Sequence, residues 1–193
     1  MISPPPIARM RLSTPPGRLL TISVFLGLAS FAVAQENQKQ VTAFGGTWLI
    51  DGSKSTPWMA QFGETKLRIS LRESKITTTR EFKRSDRTTA IAGAILGADP
   101  IETFVYFTDG RGEKNRSVFD PTVTRAGVRS KTTLEDGKIV VRSSRKESGS
   151  TTNTTESWEL SDDGKVLTET TTTVTGLRSR ISYAIFNRVQ KHR

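Results

Sequence analysis

Residues Phe44–Ser55 read FGGTWLIDGSKS, and the reading of this run decides the fold. Gly45 and Gly46 permit backbone angles and close approaches that a Cβ would block. They stand directly before Thr47, Trp48, Leu49 and Ile50, residue types that favour extended structure. A short strand begins here, with Trp48 as its anchor. Asp51-Gly52 follows at once with the composition of a tight turn, so the chain bends sharply after the strand.

Downstream, Lys66–Leu71 alternates polar and apolar residues with period two, the pattern of a half-buried strand. Ser74–Phe82 reads as its partner across a Glu73-Ser74 turn. Ile101–Phe107 is apolar and aromatic and ends at Asp109-Gly110-Arg111-Gly112, a strand followed by a flexible turn. The C-terminal half carries turn signals near residues 136, 163 and 176, the spacing of a meander. Glu135-Asp136-Gly137-Lys138 is a two-residue hairpin signal that pairs Leu134 with Ile139 and Thr132 with Val141. On the opposite face Lys131 meets Arg142, a repulsion that water tolerates and a core does not, so the Leu134 face is the inner one.

At Asp162-Asp163-Gly164 the expected register uses a three-residue loop with Gly164 left-handed, setting Leu160 opposite Val166 and Trp158 opposite Thr168. A two-residue turn would instead set Trp158 opposite Glu169. The expected face continues through Thr154, Glu156, Thr170 and Thr172, so the surface beside Trp158 is polar: either a wetted cavity or a threonine-rich side turned to water. Ser179–Val189 closes the chain, with Ile181, Tyr183, Ile185 and Val189 on one face and Ala184 and Phe186 on the other.

Two segments break the strand pattern. Lys54–Glu64 has loop composition yet holds Trp58, Met59 and Phe62, which either tuck under the sheet or rim a cavity. Residues 88–99, small and apolar with Gly93 and Gly97, form either a lid or a plug.

The N-terminus carries Arg9, Arg11 and Arg18, an apolar run from Leu19 to Phe31, and Ala32-Val33-Ala34 before Gln35. A basic start, an apolar middle and small residues at a cut point make a secretory signal over residues 1–34, cleaved after Ala34. The apolar run is shorter than the roughly 20 residues needed to span a bilayer, so no transmembrane segment is expected in the mature chain. Initiation at Met10 rather than Met1 would give a more ordinary signal. Residues 35–43 then read as a short linker and 44–190 as one domain. The chain has no cysteine, hence no disulfide, thiolate nucleophile or lipid-attachment thiol, and a secreted or periplasmic location is expected. Net charge is +10, which outside a cell points to anionic envelope polymers or membranes rather than to nucleic acid.

Gly46-Thr47-Trp48 on the first strand of a secreted, cysteine-free β protein resembles the entry motif of the lipocalin or calycin group. With Lys54-Ser55, and with Tyr106-Phe107-Thr108-Asp109-Gly110 ahead of Glu113, the chain looks more like the bacterial secreted lipocalin-like proteins. It departs from them in placing Arg111-Gly112 before Glu113. Thr108-Asp109 also lacks the tyrosine of the vertebrate lipocalin motif, so nothing is carried over from that motif. The resemblance implies an all-β fold: a single antiparallel up-and-down, lipocalin-like β-barrel of about eight to ten strands. It also implies that Trp48 closes one end and that Arg188, in Phe186-Asn187-Arg188, packs across it. Gly46, Trp48 and Arg188 are thus expected to be structural closure residues.

The only histidine is His192, near the C-terminus, which removes histidine-based triads and metal sites. No phosphate-binding glycine loop or calcium loop is present. Folding could bring carboxylates such as Glu156 and Glu169 together, but any β protein offers such pairs, and no enzyme, metal or cofactor is expected. The sequence reads as a non-enzymatic carrier of a small apolar or amphipathic ligand, with Trp58, Phe62, Tyr106 and Tyr183 as candidate lining residues. The competing reading is an envelope protein that binds anionic polymers through a basic surface and has no ligand cavity.

Overall fold

A computed structural model describes residues 40–57, 64–83, 101–117, 127–147 and 149–190. The fold is all-β: ten antiparallel strands in up-and-down order. They are β1 (Gly46–Ile50), β2 (Thr65–Arg72), β3 (Lys75–Phe82), β4 (Ile101–Phe107), β5 (Glu113–Asn115), β6 (Val128–Glu135), β7 (Lys138–Glu147), β8 (Ser150–Leu160), β9 (Val166–Thr175) and β10 (Arg178–Arg188). One sheet runs β4-β3-β2-β1-β10-β9-β8-β7-β6-β5, so first and last strands are neighbours and the sheet curls into a nearly closed barrel. Among the described residues no helix is long and apolar enough to cross a membrane.

Local turn chemistry sets the hairpins. Glu73 takes a left-handed φ of 54° at the β2–β3 turn, and Asp136 and Gly137 take 50° and 77° at the β6–β7 turn. Two consecutive positive φ values match the twist of the flanking strands and fix the register. Leu134 accordingly faces Ile139, and Lys131 faces Arg142 on the outer surface, where Arg142 bonds the Glu135 carboxylate at 2.7 Å.

The β8–β9 register differs from the expected one. Trp158 lies opposite Glu169 and Leu160 opposite Leu167. Gly164 is left-handed, but the loop holds one residue more than three. Asp163 accepts the Lys165 N–H at 3.0 Å and the Ser161 hydroxyl at 2.7 Å, while Ser161 Oγ accepts the Val166 N–H at 3.0 Å. These side chains satisfy backbone groups that a shorter loop would have paired. A one-residue shift exchanges the faces of a strand, so Leu167, Glu169 and Thr171 point inward in place of Val166, Thr168 and Thr170.

The seam between β4 and β5 is closed by side chains instead of a ladder. Asn115 accepts the Val105 N–H and donates to the Val105 carbonyl, both at 2.9 Å, and Glu113 accepts the Phe107 N–H at 3.2 Å. An amide side chain reproduces both backbone bonds of one ladder residue.

A helical turn at 40–43 precedes β1 within the stretch read as linker, and its Val41 enters the core with Phe44. That core, around Phe44, Trp48, Ile76, Ile139, Leu167 and Phe186, fills the end of the barrel where β1 starts and β10 ends.

Candidate functional site

At the closed end Trp48 is fully buried and donates its indole N–H to the Phe44 carbonyl at 3.0 Å. The Arg188 guanidinium lies 4.1 Å over the indole ring and donates to the carbonyls of Gly164, Gly45 and Ala43 at 2.7, 2.8 and 2.6 Å. Gly46 sits at φ +133°, and a Cβ there would lie 3.2 Å from Arg188 Nη1. The Trp48 N–H and one N–H on each Arg188 nitrogen are thus satisfied by backbone carbonyls.

Further along the lumen the inward residues change character. On β7 to β10 the rows run from Val141 to Ser143, from Trp158 through Glu156 to Thr154 and Thr152, from Leu167 through Glu169 to Thr171 and Thr173, and from Ala184 to Ser182. On β1 to β4 the same level carries Ile50, Thr65, Phe82, Arg80, Glu102 and Phe104. One wall is therefore rich in hydroxyls, and the facing wall mixes apolar Ile50, Phe82 and Phe104 with polar Thr65, Arg80 and Glu102.

Between these walls the chain places an ion pair. Arg80 Nη2 on β3 donates to Glu169 Oε2 on β9 at 2.6 Å, a bond that crosses the lumen between strands four apart in the sheet. The two side chains are 16% and 7% exposed, dry enough that removing either partner would strand a buried charge. Glu156 lies beside them and accepts the Trp158 indole N–H. Burial first, and then the Glu169 charge, push the Glu156 carboxyl up to about 8 against the ordinary 4.5, with Arg80 and Trp158 offsetting part of the shift. The shift favours the protonated carboxyl, which can donate an O–H. Burial works against the Arg80 charge, yet Glu169 and then Glu156 hold its pKa above the ordinary value. Tyr106 packs edge-on against Trp158 at 5.3 Å and Phe104 at 6.3 Å, and burial followed by Glu156 raises its phenol pKa. Two polar atoms here are buried with no hydrogen-bond partner, Arg80 Nε and Thr65 Oγ1. Glu102, opposite Arg80, is bonded by the Ser117 hydroxyl.

Of the sequence-derived lining candidates, Tyr106 points into this cluster. Tyr183 does not: β10 turns Ser182, Ala184 and Phe186 inward, leaving Tyr183 on the outer surface, its backbone bonded to Thr56. It is corrected to an exterior residue, because in a strand neighbours of inward residues must face out. Trp58, Phe62 and the segment 88–99 lie outside the described residues. Arg80 was missed by sequence reading although it shares a face of β3 with Ile76 and Phe82, because a single charge on that face does not reveal its partner 89 residues away. The nearness of Glu156 and Glu169 was legible only as one of many carboxylate pairs. Among the described residues no three His, Cys, Asp or Glu side chains converge as metal ligands.

No family model and no curated protein matches the chain. Solved structures that resemble it include the zebrafish ileal bile acid-binding protein complexed with cholic acid, with a TM-score of 0.49, 15% identity, 76% of this chain and 99% of that one covered. Fatty-acid-binding protein 1 of Echinococcus granulosus gives 0.48 and 14%, covering 77% and 98%, and the wild-type fluorescent protein UnaG gives 0.46 and 22%, covering 77% and 99%.

Proposed function

We propose that the protein is a secreted, non-enzymatic carrier that holds one small amphipathic molecule in the part of the lumen beyond the Trp48 closure. The observation that carries this reading is the polar cluster around the Arg80–Glu169 pair, with Arg80 Nε and Thr65 Oγ1 buried and unpaired, set among the hydroxyls of β8 and β9 and the apolar Ile50, Phe82 and Phe104. A polar group of the ligand bonds Arg80 and Glu156, and its apolar part lies on Ile50, Phe82 and Phe104. A buried ion pair is a weak source of stability, and a cluster retained in a small barrel fits recognition better than folding. The basic leader over residues 1–34 supports export to a periplasm or to the outside.

The test is native mass spectrometry together with titration by a fluorescent long-chain fatty acid. One molecule per chain is expected, with the affinity lost in an Arg80→Met/Glu169→Leu variant that keeps the wild-type circular dichroism. An unliganded, non-binding protein that is instead retained on an anionic matrix in a salt-sensitive way would overturn the carrier reading in favour of surface binding to anionic polymers.

A further inference from the structure

The outer surface at the end of the barrel away from Trp48 has a feature that the carrier reading does not use. The β9–β10 hairpin turns at Gly176-Leu177, with Thr175 opposite Arg178, and Leu177 at its tip is fully exposed. Gly176 has φ +58°, and no atom comes within 4 Å of a Cβ placed on it, so the tip stands clear of the rest of the fold. Behind it, Val174 and Ile181 are also exposed on the outer face of the same hairpin. At about 3.3 Å per residue these lie within roughly 13 Å of the tip. Exposed apolar side chains this large are ordinary when scattered; here they share one protrusion.

The charges around the tip have one dominant sign. The β7–β8 hairpin ends at the same level, where Arg145 shares a cross-strand row with Thr152, Thr175 and Arg178 and Lys146 lies next to it in sequence. The sole carboxylate on these two tips is Glu147. Lys146 and Arg178 make no ion pair among the described residues, while Arg145 and Arg180 hold contacts of their own. A convex tip with one leading leucine offers far less than the roughly 800 Å² per partner of a stable protein interface. It does suit a bilayer surface, where apolar side chains sink about 5–10 Å into the headgroup boundary and nearby cations meet anionic lipid.

We propose that the β9–β10 hairpin tip docks on an anionic lipid bilayer, with Leu177 inserted and Lys146 and Arg178 against lipid phosphates. This rests on the two hairpin tips and stands whether or not the lumen holds a ligand.

The chain has no cysteine, so Leu177→Cys carries a single environment-sensitive fluorophore at the tip of the full-length protein. Asp162→Cys, in the exposed β8–β9 loop near the closed end, carries the control label. With vesicles of phosphatidylcholine and phosphatidylglycerol the tip label should shift to the blue and be quenched by nitroxide lipids, and the control label should do neither. Arg178→Gln and Lys146→Gln, each combined with the tip label, should weaken the response about fivefold each, and high salt should abolish it. Because the label reports its own depth, attachment through another segment does not register as success. A tip label that stays in water, an equal response with pure phosphatidylcholine, or an equal response from the control label would each overturn the proposal.

Discussion

The closed end and the mid-lumen cluster both bury an arginine, and they treat it in opposite ways. Arg188 spreads its charge over the Trp48 ring and three backbone carbonyls, with no ion pair among the described residues. Arg80 faces a carboxylate across the lumen, keeps one N–H unpaired, and has a second carboxyl, Glu156, beside it whose pKa burial raises. Carbonyls and a π face cost little to desolvate, so Arg188 ties strand ends together at a net gain. Two buried ions cost several kcal/mol each to desolvate and recover it only with good geometry. The first arrangement ties the barrel end together; the second is the one that the carrier reading would have hold a ligand.

Substitutions should separate the two. Trp48→Ala removes the fully buried anchor of the closed end and should cost about 4 to 5 kcal/mol in urea unfolding, far more than any surface change. Next comes Glu169→Gln, which strands the Arg80 charge and should cost about 3 kcal/mol. The double variant Arg80→Met/Glu169→Leu should instead unfold at the wild-type urea concentration or above while losing ligand; if it were as unstable as the single change, the cluster would be structural and the contrast would collapse. Arg188→Ala should cost about 2 kcal/mol from lost cation–π and hydrogen-bond contacts, with Arg188→Lys recovering less than half, since an ammonium cannot stack and reach all three carbonyls.

The remaining effect is a slope with pH. The Glu156 pKa of about 8 in the fold lies above the ordinary 4.5, so the folded state binds the extra proton between those values. Its contribution is fully present below pH 4.5 and is lost as pH rises through 8. Stability should therefore fall from pH 5 to 8, and Glu156→Gln should flatten that part of the curve. The lowered carboxyls of Asp51 and Glu135, both about 2, act in the other direction and only below that window.

Much of the barrel is legible in short-range chemistry. The Glu73-Ser74 and Asp136-Gly137 turns fix their hairpins because a two-residue turn with positive φ leaves no freedom of register. The β8–β9 loop is not legible in the same way, because its length is set by Ser161 and Asp163 side chains competing for backbone N–H groups. That single residue decides whether Glu169 or Thr168 faces the lumen. Tyr183 misleads for a related reason: both faces of β10 carry apolar residues, so alternation alone cannot say which is inner.

By itself, the sequence determined the strand series, the Trp48 start and the chemistries it lacks, since glycine, turn residues and period-two alternation act within a few positions of one another. Only the tertiary structure decided that Arg80 meets Glu169 89 residues further along the chain and that Asn115 seals the seam with β4. Barrel closure and register bring those groups together, and neither is encoded within any one strand.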